Sequence, residues 1–197
     1  MSLRRAPKAC RFASSPCCNM CSCILVFGVS GVGKTTACEN YVARHPGFLF
    51  VSASALLKSI QAASAEELRT AKREQIIENQ ALLPDALKRY RLGRRNHRIL
   101  LDAHAVIDND RALVEVPVSV IGALEPTLLV LLEATPAEIA KRRSADARPR
   151  PLRDLQAIAR EITAERTAVE AYGVQLGLDV AVATVGPHFS LDDILGR

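Results

Sequence analysis

The segment CILVFGVSGVGKTT, at residues 23–36, carries the strongest structural signal in this sequence. Residues 24–27 are apolar, as expected for a strand covered on both faces, which is the usual situation in a parallel sheet. The strand leads into the pattern G-x-x-x-x-G-K-[ST], and a helix is expected to follow. The glycines let the backbone turn tightly with its N–H groups close to a phosphate chain, and the helix N-terminus adds positive potential. The segment therefore predicts a binding site for a nucleoside triphosphate.

The loop and the first turn of the helix supply the groups expected to bind the nucleotide. We predict that Lys34 places its charge on the β- and γ-phosphates and that the hydroxyl of Thr35 binds Mg²⁺. Lys34 is expected to be exposed and to support no core. The predicted cofactors are ATP and Mg²⁺. The predicted nucleotide contacts in this segment are Gly28, Val29, Ser30, Gly31, Val32, Gly33, Lys34, Thr35 and Thr36.

A second motif, RILLDAH at residues 98–104, places an aspartate after three apolar residues. Asp102 would then stand at the carboxyl end of a strand, where such a residue holds magnesium directly or through water. We therefore predict that Asp102 binds Mg²⁺ and takes part in catalysis. His104 is equally compatible with orienting a loop and with contacting the substrate.

Arginines are concentrated between residues 142 and 153, where prolines interrupt the end of a predicted helix. Alternating arginine and proline predicts a short, mobile, arginine-rich lid over about residues 144–154, because guanidinium groups bind phosphates in a forked geometry. We predict that Arg142 binds the nucleotide. The predicted catalytic arginines are Arg143, Arg148 and Arg150.

The composition argues against a nucleic-acid-binding or membrane-spanning protein. Residues 1–19 contain four basic and no acidic side chains, so the other 178 residues contribute only +1 to the formal net charge of +5. A nucleic-acid interface would require a cluster of basic residues on the folded domain. The longest apolar runs are far shorter than the roughly 20 residues of a membrane span. The expected partners are therefore nucleotides and small-molecule substrates.

Residues 1–22 are interpreted as a basic, Cys-rich tail, and residues 23–197 as one nucleotide-binding domain. Five of the six cysteines lie at or before the first strand. Cys18 and Cys21 form half of a zinc-binding pattern, but no second half follows, so no structural metal is predicted. The tail is expected to be disordered, with Met20 a plausible start of the chain. A disulfide framework is not expected, because a nucleotide-binding protein of this kind normally works in a reducing compartment. The expected location is therefore cytoplasmic.

Apolar periodicity and helix-breaking residues predict alternating strands and helices around a parallel sheet of about five strands. A long polar helix or helix pair is expected from the capping box at Ser64 to about Gly93, broken near Pro84. Leu155, Ile158, Ile162, Val169 and Tyr172 have helical spacing and are expected to pack a long helix onto the sheet. The predicted strands are 24–27, 48–51, 98–102, 127–132 and 180–184.

Along residues 23–195 the chain resembles nucleoside monophosphate kinases, most closely the archaeal-type adenylate kinases and their bacterial P-loop relatives. The resemblance implies a three-layer α/β P-loop NTPase fold with a short lid. It also implies Mg²⁺-dependent transfer of the γ-phosphoryl group of ATP to a nucleoside monophosphate, with AMP as the first candidate. The matching segments are 28–36, 100–104, 133–139, 142–150 and 171–174.

Three differences from the family pattern keep other functions open. Ala103 stands where the family has threonine, Ser52 and Ser54 stand where an aspartate is usual, and residues 112–117 replace a Gly/Pro-rich stretch. One alternative is a P-loop kinase of another small molecule, although an alcohol acceptor would usually need a carboxylate base near the end of the second strand. The other is a regulatory module that senses ATP without transferring its phosphate.

Overall fold

Five parallel strands form the central sheet in the computed structural model, which describes residues 22–61, 64–146 and 153–196. Their order across the sheet is β2-β3-β1-β6-β7, and a separate antiparallel hairpin is formed by β4 and β5. The prediction of a parallel sheet of about five strands is confirmed. The strands are β1 (Cys23–Phe27), β2 (Phe48–Ser52), β3 (Arg98–Asp102), β4 (Val106–Asp108), β5 (Leu113–Glu115), β6 (Pro126–Glu133) and β7 (Val180–Thr184).

Helices cover both faces of the sheet. The expected long polar helix or helix pair at residues 64–93 is three helices, because a break at residues 71–72 adds to the one near Pro84. The helices are α1 (Lys34–Arg44), α2 (Ala53–Ile60), α3 (Ala65–Thr70), α4 (Arg73–Ala81), α5 (Leu83–Arg91), α6 (Val118–Ala123), α7 (Pro136–Ala145), α8 (Leu155–Leu176) and α9 (Asp192–Leu195).

Alternating side chains of the central strands divide between two hydrophobic cores. Leu25 and Phe27 of β1 pack with α2, α5, α6 and the second half of α8. Ile24 and Val26 face the other side, towards α1, α7 and α9. Successive side chains of a strand point to opposite faces, so a strand that is apolar at every position is buried on both faces. This arrangement gives the three layers that the sequence predicts.

The N-termini of α3 and α7 are stabilised by capping boxes. Ser64 and Thr135 accept hydrogen bonds from the backbone of Glu67 and Glu138, whose carboxylates accept a backbone N–H in return. These bonds lower the pKa of both glutamates. Both caps follow from the sequence pattern of Ser or Thr three residues before Glu.

The β4–β5 hairpin was not predicted. Its turn is held by the Asn109 side chain, which accepts hydrogen bonds from the backbone of Arg111 and Ala112. Arg69 of α3 and Arg153, just before α8, both form ion pairs with Asp110 in this turn. Arg69 therefore connects α3 to the hairpin, and its hydrogen bond lowers the pKa of Asp110.

Helix α8 packs as expected except at its first residue. Ile158, Val169 and Tyr172 are buried, whereas Leu155 is 53% exposed. Leu155 lies in the first turn, directly after the N-cap Asp154, before the helix reaches the sheet. No helix in the described part of the chain is both long enough and apolar enough to cross a membrane.

The C-terminal segment is fastened to the end of α1 through Asp192. Its carboxylate accepts a hydrogen bond from Arg44 and lies 2.6 Å from Nε2 of His45. The Tyr41 hydroxyl donates to the carbonyl of Gly196 at 3.3 Å. Hydrogen bonds from Ser190, His45 and Arg44 lower the pKa of Asp192 well below its ordinary value.

We predict that Asp192→Asn lowers the Tm by a few degrees at pH 7, and that this difference shrinks as the pH falls below about 4. A carboxyl group with a depressed folded-state pKa stabilises the fold above its unfolded pKa of about 3.9, and this contribution is lost as the pH falls towards the folded value. Thermal unfolding between pH 7 and pH 3 measures the effect. Asp193→Asn, at an exposed neighbouring position, is the control. An equal Tm loss in the control, or a difference at pH 3 as large as that at pH 7, would contradict the prediction.

Candidate active site

The candidate active site lies at the carboxyl ends of β1 and β3, where the loop of residues 28–33 connects β1 to α1. Gly28 has a φ of 142°, and a Cβ at this position would lie 2.4 Å from the carbonyl oxygen of Leu132. Only glycine avoids this overlap without moving the backbone. Gly33 is left-handed and directly precedes the first turn of α1. The loop therefore has the tight backbone path that the sequence motif predicts.

Lys34 is buried, so the expectation of an exposed loop lysine is wrong. Its side chain is 5% exposed and turns back over the loop. The ammonium donates to the carbonyl of Gly28 at 2.5 Å and lies 3.5 Å from Oδ1 of Asp102. The charge is compensated inside the protein, as a buried charge must be. Lys34 therefore contributes to the local packing as well as to the charge of the site.

Thr35 and Asp102 meet between α1 and β3. The Thr35 hydroxyl donates to Oδ2 of Asp102 at 3.0 Å. Strand register produces this contact, because Val26 of β1 pairs with Asp102 of β3 and the backbone N–H of Ala103 donates to Val26. The sequence predicted both residues, and the structure brings them together.

The residues at this position fit a magnesium ion. A hydroxyl and a carboxylate are oxygen ligands of the kind Mg²⁺ prefers, and Mg²⁺ usually completes its coordination with waters and substrate phosphates. Within residues 22–61, 64–146 and 153–196 there is no group of three or more His, Cys, Asp or Glu side chains that could hold a metal. The donor set therefore suits an ion that arrives with a nucleotide.

Arg142 and Arg143 bind the loop from the side of α7. Arg142 donates to the carbonyls of Val32, at 2.6 Å, and Val185, at 3.1 Å. Arg143 donates to the carbonyl of Ser30 at 2.9 Å and forms a two-pronged ion pair with Glu161. In a trans peptide the N–H points away from the preceding carbonyl. These contacts therefore turn the N–H groups of residues 31 and 33 away from α7.

The predicted roles of the arginines remain predictions. The structure brings Arg142 and Arg143 to the phosphate-binding loop, where they contact its carbonyl oxygens. Arg148 and Arg150, with most of the predicted lid, lie outside the described residues.

His104 lies beside the buried lysine. Its Nε2 is 3.4 Å from the Lys34 ammonium, and its Nδ1 is 4.0 Å from the carboxylate of Glu165. The side chain is 38% exposed, so it faces the open side of the site. At the end of β2, Ser52 caps α2 through the N–H of Ala55, and its hydroxyl lies 3.1 Å from that of Ser54.

The sequence interpretation missed two glutamates of α8 that contact the site. Glu161 holds Arg143, and Glu165 accepts three backbone N–H groups, from Gly28, Ala105 and Val106. Burial raises the pKa of Glu165, while the Lys34 charge and the three N–H donors oppose that rise. A signal was available, because both glutamates fall within the apolar stripe of a predicted amphipathic helix.

The comparisons with known proteins agree with this geometry. The model of the AAA domain family matches residues 27–159, which include the loop, Asp102 and both arginines of α7. The chain belongs to this family. The resemblance to archaeal-type adenylate kinases is confirmed by an adenylate kinase from Pyrococcus horikoshii, 30% identical over 161 residues that cover 77% of this chain and 80% of that protein. An adenylate kinase homolog from Methanothermobacter thermautotrophicus is 28% identical over 182 residues, covering 88% of this chain and 90% of that protein.

Solved structures show the same fold at greater sequence distance. A shikimate kinase from Bacteroides thetaiotaomicron has a TM-score of 0.55 and 14% identity, covering 83% of this chain and 86% of that one. This likeness confirms the three-layer P-loop fold. The AAA domain family and the curated relatives support a phosphotransferase of the P-loop kinase type that uses a nucleotide.

We predict that Lys34→Met lowers kcat for phosphoryl transfer from ATP at least 100-fold, equivalent to about 3 kcal/mol, the loss typical of removing one electrostatic stabiliser. The Tm should also fall, because Asp102 would lose its buried cation. Steady-state kinetics and thermal unfolding measure the two effects.

Lys88→Met, at an exposed position of α5, is the matched control and should change neither quantity appreciably. If a folded Lys34→Met protein kept more than a tenth of the wild-type kcat, this would contradict the role of Lys34 in phosphoryl transfer.

Proposed function

We propose that this protein transfers the γ-phosphoryl group of ATP to the phosphate of a nucleoside monophosphate, with AMP as the first acceptor to test. The observation that carries the donor half is the cluster of Lys34, Thr35 and Asp102 at the phosphate-binding loop. This cluster combines a cation for phosphate oxygens with two oxygen ligands for Mg²⁺. The curated relatives named adenylate kinase support the choice of acceptor class.

The end of β2 supports an acceptor that is already anionic. An alcohol acceptor must lose a proton during transfer and benefits from a nearby general base, whereas a phosphate acceptor needs none. In this position the chain offers the hydroxyls of Ser52 and Ser54, which hydrogen bond with each other. These hydroxyls are able to orient an acceptor but are too weakly basic to accept its proton.

Each residue of the site has a defined task in the transfer. Backbone N–H groups of residues 29–35 bind the donor phosphates, and Lys34 exchanges its contacts with Gly28 and Asp102 for contacts with the β- and γ-phosphates. Thr35 and Asp102 would hold Mg²⁺, which neutralises phosphate charge. Arg142 and Arg143 hold the loop through its carbonyls, and they are also assigned, as predicted, to nucleotide binding and to catalysis respectively. Arg148 and Arg150 are assigned to the charge that develops on the transferring group. Positioning and charge stabilisation account for most of catalysis in such a reaction.

The proposal is tested by measuring ADP formation from Mg·ATP with AMP, CMP, UMP and GMP as acceptors, and with shikimate and gluconate in parallel. We expect rapid ADP formation with at least one monophosphate, above the rate of ATP hydrolysis alone. Rapid turnover only with an alcohol would indicate a kinase of another small molecule. His104, which faces the open side of the site, is the candidate base for such a reaction. Tight ATP binding without acceptor-dependent turnover would favour a regulatory module.

We predict that Arg148→Ala or Arg150→Ala lowers kcat roughly 100-fold, about 3 kcal/mol, and reduces ATP affinity much less. Interactions that strengthen in the transition state change kcat, whereas uniform binding changes mainly KM. Steady-state kinetics and an ATP-binding titration separate the two effects.

Arg160→Ala, at an exposed position of α8, serves as the control for removing a positive charge. Normal turnover at saturation combined with tenfold weaker ATP binding would show that these arginines act only as a clamp on the donor.

A further inference from the structure

Glu165 is a buried carboxylate without a task in the transfer described so far. It lies in the middle of α8, is 2% exposed, and accepts hydrogen bonds from three backbone N–H groups. The donors are Gly28 at 3.0 Å, Ala105 at 3.1 Å and Val106 at 2.8 Å. Burying an ionisable group costs free energy, so the presence of Glu165 at this buried position calls for an explanation.

The three donors belong to two different parts of the site. Gly28 is the first residue of the phosphate-binding loop, and Ala105 and Val106 follow the segment that carries Asp102 and His104. The side chain of Glu165, which lies 137 residues after Gly28 in the sequence, therefore connects both parts of the site. The contacts most sensitive to their relative position are Thr35 with Asp102, at 3.0 Å, and Lys34 with Asp102, at 3.5 Å.

A carboxylate suits this position better than any other side chain. It has about four acceptor sites and no donor, so it is able to accept all three N–H groups at once. A glutamine of the same shape would direct its NH₂ group at one or more of these donors. Such a mismatch leaves buried donors unsatisfied, which costs more than losing an ordinary hydrogen bond.

The same face of α8 makes further contacts with the two parts. Glu161, one turn before Glu165, holds Arg143, which in turn binds the loop at Ser30. Tyr172, two turns after Glu165, donates its hydroxyl to the carbonyls of Ala105, at 3.3 Å, and Val116. Spacings of four and seven residues place these side chains on one side of the helix. Among them, Glu165 is the side chain that bonds directly to both parts of the site.

We propose that Glu165 is a positioning residue for phosphoryl transfer. It holds the phosphate-binding loop and the end of β3 at the separation that Thr35, Lys34 and Asp102 require to act on one Mg·ATP. The kinetic part of this inference rests on the proposed function. Residues that orient metal ligands from behind typically change activity or metal affinity by about 10–100-fold when mutated.

Loss of Glu165 should affect the transition state and the metal more than ATP itself. The loop N–H groups that bind phosphates lie within one segment and keep their local geometry. The arrangement around Mg²⁺ involves Thr35 from one segment and Asp102 from the other, so it depends on the relative position of the two segments. We therefore expect Glu165→Gln to lower kcat at least about tenfold and to raise the half-saturating Mg²⁺ concentration about tenfold. ATP affinity, measured without Mg²⁺, should change less than about threefold.

The experiment combines these measurements with amide hydrogen exchange by NMR on the ligand-free protein. We expect the protection of the Gly28, Ala105 and Val106 amides to fall at least tenfold in Glu165→Gln, with unchanged protection in β6. Unchanged protection of these three amides would overturn the inference, as would unchanged kcat and Mg²⁺ dependence. Glu165→Asp keeps the charge but is one methylene shorter, so it should show the same pattern and serves if Glu165→Gln does not fold.

Two controls separate positioning from stability. Glu170→Gln changes an exposed glutamate of α8 and should alter none of these quantities. Val169→Ala removes buried methyl groups from the same helix, so it should lower the Tm without changing kcat or the Mg²⁺ requirement appreciably. If Val169→Ala changes both as much as Glu165→Gln does, the effect is general destabilisation and the inference fails.

The measurements distinguish a failure of the proposed function from a failure of the inference about Glu165. If the wild-type protein transfers phosphate to no nucleoside monophosphate, the acceptor class is wrong. Glu165 is then judged by amide exchange and by the strengthening of ATP binding by Mg²⁺, neither of which needs an acceptor. Loss of that strengthening in Glu165→Gln supports the inference, and its full retention overturns it.

Discussion

The parallel pairing of β1 with β3 is the constraint on which the site depends. It places Asp102 opposite Val26, so that the carboxylate meets the first turn of α1, and a shift of one residue would move Asp102 by about 3.3 Å and to the other face. Both strands are apolar on both faces, so alternation of polar and apolar residues does not select their register. The hydrogen bonds of Glu165 with Gly28, Ala105 and Val106 join the segments that follow the two strands, and their directionality is compatible with this register.

Buried charges of alternating sign surround the phosphate-binding loop. Lys34 and Asp102 form one pair, and Arg143 and Glu161 form another, with both pairs largely removed from solvent. Each pair is costly to bury and more costly to break, since the remaining partner would be an uncompensated charge. Under the proposed function, a nucleotide brings negative charge to this place and offers Lys34 a new partner. The Gly28 carbonyl and Asp102 hold the Lys34 ammonium in the absence of that partner.

The sequence predicts the parts of this structure that depend on neighbouring residues. The loop motif, the capping box at Ser64 and the five apolar strands are local patterns, and all appear where expected. The β4–β5 hairpin was missed because its strands have three residues each and its turn depends on the Asn109 side chain. The burial of Lys34 and the bonds of Glu165 join segments that are distant in sequence. The pairing of β1 with β3 brings Asp102 to Lys34, and the packing of α8 against the loop creates the bonds of Glu165.

The β4–β5 hairpin connects α3 to the start of α8. Arg69 extends from the helices that follow β2, and Arg153 directly precedes α8, yet both bind Asp108 and Asp110. Helix α3 and the residue that precedes α8 are therefore bound to the same hairpin turn. Because α8 also carries Glu161 and Glu165, a displacement of Arg153 would affect both the hairpin and the phosphate-binding loop. Helix α8, which the sequence pattern predicts only as a helix packed on the sheet, therefore connects the phosphate-binding loop to the β4–β5 hairpin.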